Sequence, residues 1–273
     1  MRMAAAEDGY RVDLTPFPEG EDAARLDARP IARAAFVRDA GVARDPLFAQ
    51  VLARRSLKEP FDTDRPVAEA ALAPLAAAVR AAAFGGSVAP DSIAALRDLT
   101  ARALAVEVET PRTFQESVDL FRIGAREVDA NPDGIDFTGP LFEALRAVGQ
   151  FTRETAGDRD SMAFRAGFDA VMANATTAMG HVWLVTPDNR RATQLAVGAD
   201  WVRLNLAAAA AGLGLHPLSQ AQQEFPEMAA LYAEVHARLA PQGGTVQMLG
   251  RIGYGPETGP SPRWPLETRI AHG

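Results

Sequence analysis

The chain reads as an α+β protein, a mixed or antiparallel sheet flanked by helices and finished by an extended C-terminal arm. Three observations predict this. Short runs with period-two alternation, and one continuous apolar run, are interleaved with long alanine-rich stretches of helical period. Clusters of Gly, Pro, Asn and Asp separate them. The tail, residues 255–269, is too rich in Pro and Gly for regular structure and must run extended.

In order, residues 10–17 alternate apolar and polar and predict a strand, with Pro16 at its end or edge. Residues 30–38 predict a second. Asp45 to Leu52 predicts a short helix. Asp64 and Pro66 open a helix expected to run through the alanines to about Phe84, with a kink at Pro74 and a stop at Gly85-Gly86. Asp91 is expected to cap the next, with Ile93, Leu96, Leu99 and Ala103 on one face. Thr110-Pro111 starts a third, carrying Phe114, Val118 and Phe121. Residues 131–134 predict a turn, and Thr138 with Pro140 a short apolar helix. Residues 161–177 read as helical, and His181 to Thr186 as a buried strand. Arg190 to Ala211 reads as a long helix with Leu195, Trp201, Leu204 and Ala208 inward and Gly212 as its stop. Leu213 to His216 is a short strand, Pro226 to Leu239 a helix and Thr245 to Tyr254 the last strand.

The chain has 273 residues, is 48% hydrophobic and carries a formal net charge of −7. That composition suits a soluble globular protein, and the acidic balance argues against general nucleic-acid binding. No apolar run is long enough to span a bilayer. The absence of cysteine excludes disulfides, thiolate ligands and a cysteine nucleophile. The four histidines, His181, His216, His236 and His272, share no metal-ligand spacing. No GxGxxG follows a strand, so no Rossmann nicotinamide site is expected.

The densest chemistry lies in Ala53-Arg54-Arg55-Ser56-Leu57-Lys58-Glu59-Pro60-Phe61. Arg54 to Lys58 places three cations and a hydroxyl in five positions, and Lys58 is the only lysine in the chain. Guanidinium groups bind phosphate oxygens bidentately, lysine adds a point charge and serine a short hydrogen bond. The same charges also suit a solvated helix end, where they complement the dipole. Two arginines here are no twin-arginine export signal, because no apolar stretch follows.

An internal echo joins the two ends of the chain. Ala4-Ala5-Ala6-Glu7-Asp8-Gly9-Tyr10-Arg11-Val12 is followed by a proline-containing turn and the strand 31–37. Ala208 to His216 is followed by a proline-containing turn and the strand 246–252. Both read as helix end, glycine stop, strand, excursion, strand. Only the downstream copy has a full set of helices before it. Residues 1–44 are therefore expected to be the C-terminal remnant of a first half whose front is missing, and residues 45–273 the second half.

The clamp at 54–61, the Gly212-Leu213-Gly214-Leu215-His216-Pro217 strand behind a long helix, and the finish Gly250-Arg251-Ile252-Gly253-Tyr254 then Pro260-Ser261-Pro262-Arg263-Trp264-Pro265-Leu266 together resemble the FMN-dependent nitroreductase family. More narrowly the chain resembles its Acg-like tandem subgroup. There, two nitroreductase-type halves form an intramolecular pseudo-dimer, and members often carry a twin-arginine signal. The resemblance implies a nitroreductase-like sheet, with FMN phosphate held by Arg54, Arg55, Ser56, Lys58 and Arg263. Pro217, Leu218, Ser219 and Gln220 would border the isoalloxazine. Flavin would carry the chemistry with no protein catalytic residue, NAD(P)H would be the transient reductant, and a nitroaromatic or quinone-like molecule the acceptor.

Two departures stand out. No Ser-x-x-Asn-x-Gln-Pro-Trp type segment lies between Glu59 and Thr110, and Leu218-Ser219-Gln220 replaces the family's Glu-Gly pair. In tandem relatives the first of these belongs to the first half. Three functions follow as rivals: an FMN-dependent oxidoreductase, a flavin-sequestering protein lidded by the insertion after Gln220 or by residues 126–160, and a flavin-free scaffold. A homodimer through an exposed half-interface is expected. The compartment is cytoplasmic for the sequence as it stands, or exported if a twin-arginine signal precedes it.

Overall fold

A computed structural model describes residues 1–22 and 25–270; His272 lies outside the described residues. The chain starts with a small unit: helix α1 (Arg2–Glu7), strand β1 (Tyr10–Pro16) and strand β2 (Ala32–Arg38). Gly9, at φ +76, turns the helix into the strand, a conformation that costs glycine nothing. The strands pair antiparallel from Tyr10–Arg38 to Pro16–Ala32. Their excursion returns to the body, where Glu21 accepts from the Ala192 N–H at 2.8 Å and from Arg190 Nε at 3.0 Å.

A 3-10 turn, Pro46–Gln50, leads into the clamp segment, and its start is capped by Asp45 accepting from Leu47 N–H at 3.1 Å. The long helix expected over 64–84 is not formed. Helix α2 covers only Leu72–Ala78, with Pro74 tolerated in its first turn, and Ala83–Ser87 is strand β3. Gly85 and Gly86 stop no helix. A Cβ on Gly85 would stand 2.1 Å from Trp183 Cε2, so the glycine lets that indole lie against the strand.

Helix α3 (Pro90–Glu109) buries Leu96, Leu99 and Ala103 as the periodicity predicts. Its cap is Ala89, and Asp91 instead places an acid in the first turn. Helix α4 (Pro111–Asp119), strand β4 (Phe121–Ile123), helix α5 (Ala125–Ala130), strand β5 (Ile135–Phe137), helix α6 (Pro140–Ala147) and helix α7 (Arg153–Gly157) follow. They enclose a satellite core of Val118, Phe121, Ile123, Phe151 and Ala156, with Phe137 edge-on to Phe121 and Phe151. The two three-residue strands pair in parallel and are too short to show a period in sequence.

The remainder follows the sequence closely: helix α8 (Met162–Thr176), strand β6 (Gly180–Thr186), helix α9 (Arg191–Ala210), strand β7 (Gly214–Pro217), helix α10 (Ala229–Leu239) and strand β8 (Thr245–Gly253). Gly212, at φ +67, ends α9. The main sheet has the order β3–β6–β8–β7, antiparallel throughout. One face, bearing Val182, Leu184, Leu215 and Ile252, packs on α2 and α9. The other, bearing Trp183, Val185 and Leu249, packs on α3 and α10. Burying each large apolar side chain here contributes about 1.5–3 kcal/mol. No helix among the described residues is long and apolar enough to cross a membrane. The order helix, left-handed glycine, strand, excursion, antiparallel strand occurs both in α1–β2 and in α9–β8.

Candidate functional site

The clamp segment lies along the free edge of the main sheet. Ser56 forms a parallel bridge with Leu215 of β7, and Leu57 N–H donates to Leu215 O at 3.2 Å. Phe61 N–H donates to Thr177 Oγ1 at 3.0 Å, and Asp62 N–H to Tyr254 O at 2.7 Å. Leu57 and Phe61 turn inward and are buried; Ser56 and Lys58 face solvent, and Arg54 and Arg55 are half-buried.

Glycines make this seat. A Cβ on Gly214 would come 2.6 Å from Leu57 Cδ2 and 2.9 Å from Phe61 Cε1. One on Gly253 would come 2.5 Å from Phe61 Cδ2. The glycines of the Gly-Leu-Gly and Gly-Tyr-Gly stretches thus clear the floor on which the clamp's two apolar anchors rest.

Under the seat sits Arg251, fully buried in the middle of β8. Its Nη2 donates to Leu57 O (3.2 Å), Glu59 O (2.8 Å) and Asn174 Oδ1 (2.7 Å). Its Nη1 donates to Thr177 Oγ1 at 3.3 Å and its Nε to His216 Nδ1 at 3.1 Å. The guanidinium carbon stands 4.1 Å from the Phe61 ring centre. In register across three strands, His181, Arg251 and His216 form one row on the α3 side of the sheet. Burial, then the Arg251 and Lys58 charges, push the His216 imidazole down to about 3, so it is neutral and accepts through Nδ1.

The structure brings Arg54, Arg55, Ser56 and Lys58 together with Pro217, Leu218, Ser219 and Gln220 on one sheet edge. Leu218 is spent on packing: its side chain is buried against Leu104 and Ala175, and its N–H donates to Leu249 O at 2.9 Å. Ser219 and Gln220 open a 3-10 turn, Gln220–Gln222, and the Gln220 Oε1 is buried without a partner among the described residues. Arg55 bends back, with Nη1 on the Leu52 and Arg54 carbonyls (2.7 and 2.9 Å) and Nε on Gly259 O (3.1 Å), tying the arm across the clamp. Arg263 is exposed and donates to Pro262 O at 2.8 Å; no hydrogen bond or ion pair joins it to the clamp among the described residues. Further along, Trp264 Nε1 donates to Asp133 Oδ2 at 3.0 Å, anchoring the arm on the satellite core.

Among the described residues, Arg54, Arg55 and Lys58 make no ion pair with a carboxylate. Their charge is uncommitted, which fits the chemistry of a phosphate dianion. Surface hollows of about 360 and 320 Å³ open elsewhere, beside α10, and neither includes a clamp residue. No group of three or more His, Asp or Glu side chains among the described residues could hold a metal. Sequence reasoning had not singled out Arg251, Asn174 or Thr177. The available signal was a charge inside the apolar stretch Met248-Leu249-Gly250-Arg251-Ile252.

No family model matches the chain, and no curated protein matches it. Solved structures do. A variant of the FMN- and NADPH-dependent nitroreductase NfnB from Sphigopyxis sp. strain HMH is 22% identical over 84% of this chain and 99% of that one, with a TM-score of 0.50. The FMN-dependent nitroreductase NfnB from Mycobacterium smegmatis, solved with NADPH, is 19% identical over 83% and 98%, with a TM-score of 0.47. An iodotyrosine deiodinase bound to FMN and 3-iodo-L-tyrosine is 17% identical over 80% and 95%, with a TM-score of 0.43. The likeness to the first of these is one of fold: the chain has a nitroreductase-like α+β architecture.

Proposed function

We propose that this chain is an FMN-dependent oxidoreductase of nitroreductase type, with NAD(P)H as reductant and a nitroaromatic or quinone-like molecule as acceptor. The observation that carries the reading is the clamp segment lying parallel to β7, directly ahead of the 217–220 loop. From Leu215 to Gln220 is five residues, at most about 18 Å of chain. That length suits a ligand with a phosphate at one end and a planar ring system at the other.

Bound flavin would supply the hydride and electron transfer. The chain's own residues bind and orient. Arg54, Ser56 and Lys58 meet the phosphate, while Arg55 holds the arm over it and brings Arg263 within reach. From Gly259 to Arg263 is four residues, at most about 14 Å of chain. The N–H groups at Ser219 and Gln220, at the open start of a 3-10 turn, would be the donors available to the ring system. The loss of the Glu-Gly pair leaves this edge without a carboxylate.

Residues 1–44 repeat the order of α9–β8, and a second copy of the chain is read as the partner that covers the exposed side of this unit. Sedimentation velocity tests this, and a monomer at all concentrations would overturn it. For the flavin itself, the visible spectrum is recorded after incubation with FMN and desalting. Retained flavin bands are expected. A chain that stays colourless would sink the proposal.

One observation favours a second reading, flavin sequestration. The arm crossing the clamp at Gly259 is pinned through Trp264 to Asp133, within residues 126–160, one of the two segments that this reading takes as a lid. Tight FMN retention with no NAD(P)H turnover would support that reading over the first.

A further inference from the structure

We infer that Arg251 is the positioning residue of the clamp: from inside the sheet it holds the backbone of residues 57–61 against β7. The inference rests on the flavin reading for what the clamp binds, while the positioning is a property of this chain alone.

Three features carry it. Arg251 occupies a position that an apolar residue would fill in an ordinary sheet, between Gly250 and Ile252 and without solvent exposure. Burying a guanidinium is costly unless its donors are used. Here every contact is to a neutral acceptor, and no carboxylate pairs with it among the described residues. Burial lowers its pKa to about 10, which leaves it charged at neutral pH.

The acceptors then explain its placement. Two are backbone carbonyls of the clamp, Leu57 and Glu59, which flank exposed Lys58. Nη2 takes both carbonyls and so fixes the 57–58 and 59–60 peptides, while Nη1 and Nε of the same planar group hold Thr177 and His216; a single-point ammonium cannot reach all four. Thr177 extends the support, because its Oγ1 accepts both from Arg251 and from Phe61 N–H. On the other side, Nε fixes His216, the residue before Pro217. One side chain therefore sets the clamp and the entry to the 217–220 loop together.

The test uses the full chain as Arg251→Lys and Arg251→Met. Amide exchange is followed at Leu57 and Phe61, with amides of β6 and β8 as the internal reference. Binding of FMN and of riboflavin, which lacks the phosphate, is followed by flavin fluorescence. In Arg251→Lys, exchange at Leu57 and Phe61 is expected to rise about tenfold or more with the reference amides unchanged. FMN affinity should fall by about tenfold, the scale on which loss of a group that orients direct ligands is felt, with riboflavin affinity little changed. Arg251→Met should exceed both effects; if it fails to fold, the lysine variant decides. Unchanged exchange at Leu57 and Phe61, or a rise shared equally by the reference amides, would overturn the inference. A wild-type chain that binds neither flavin would overturn the flavin reading instead, and exchange would still decide the positioning.

Discussion

His181 shows how far a single side chain can depart from what its neighbours in sequence suggest. It lies in an apolar strand, fully buried, and neither ring nitrogen has a partner among the described residues. Burial, with Arg97 and Arg251 nearby, pushes it down to about 3. The unfolded chain takes up that proton near 6.5. Between the two values the unfolded state binds more protons, so stability falls as pH falls, by up to about 1.4 kcal/mol per pH unit. Between pH 6.5 and 5 most carboxylates remain ionised and contribute little to this slope. His216, likewise pushed down to about 3, adds an equal share, so His181→Leu is expected to remove about half of the fall in stability to urea over that range, about 1–2 kcal/mol. It should also be neutral or stabilising at pH 7, since two orphaned nitrogens disappear. A variant with the wild-type slope would refute this. Asp200 is the opposite case, a buried carboxylate that accepts from the N–H groups of Arg80, Ala81 and Ala82 at 2.9, 2.7 and 2.8 Å. Asp200→Ala strands all three and should cost about 3 kcal/mol in chemical denaturation; a loss below about 1 kcal/mol would show that the loop re-pairs with water. The burial of His181 was legible from its apolar strand but its lack of partners was not, and the role of Asp200 was hidden because its partners are distant in the chain. Lys58 and its arginines were legible because their chemistry is local.

At the scale of elements, legibility followed length and burial. The 20-residue α3 shows its apolar stripe, while the 20-residue α9 and the nine-residue β8, buried on more than one side, were legible from their length and the glycines that bound them. β3 was hidden, because its Gly-Gly pair reads as a stop until Trp183 is seen to need the space. The clamp segment was read for its charges, whereas its placement comes from Leu57 and Phe61 and the glycines beneath them. This makes Gly253 a sharp probe. A methyl at 2.5 Å from Phe61 must displace that ring, since the opposing β8 backbone is held in the sheet. Gly253→Ala is expected to cost about 1–3 kcal/mol from overpacking and to speed exchange at Leu57 while β6 stays protected. Unaltered exchange at Leu57 would mean that the ring repacks without moving the clamp.

Across the whole molecule, stability should be uneven, because the chain has separate cores of unequal size. The main sheet is covered by helices on both faces, whereas among the described residues the N-terminal unit buries only Ala6 and Val12 of its apolar side chains. Phe36 on its second strand is 56% exposed. A two-stranded sheet is marginal on its own in water. Its tie to the body through Glu21, on the first turn of α9, is polar, and a carboxylate there is worth about 0.3–1 kcal/mol. The sequence echo between residues 1–44 and the end of the chain was legible from glycine spacing, but the thinness of this unit's core was not, since strand patterning does not say what covers a face. Local opening is therefore expected to govern amide exchange in β1 and β2, at free energies well below those of β6 and β8. Glu21→Ala should speed exchange in β1 and β2 further, by about fivefold for a loss near 1 kcal/mol, and leave β8 unchanged. If β1 and β2 were as protected as β8, the N-terminal unit would instead be one cooperative piece with the body, and the exposed face of Phe36 would have to be covered in solution.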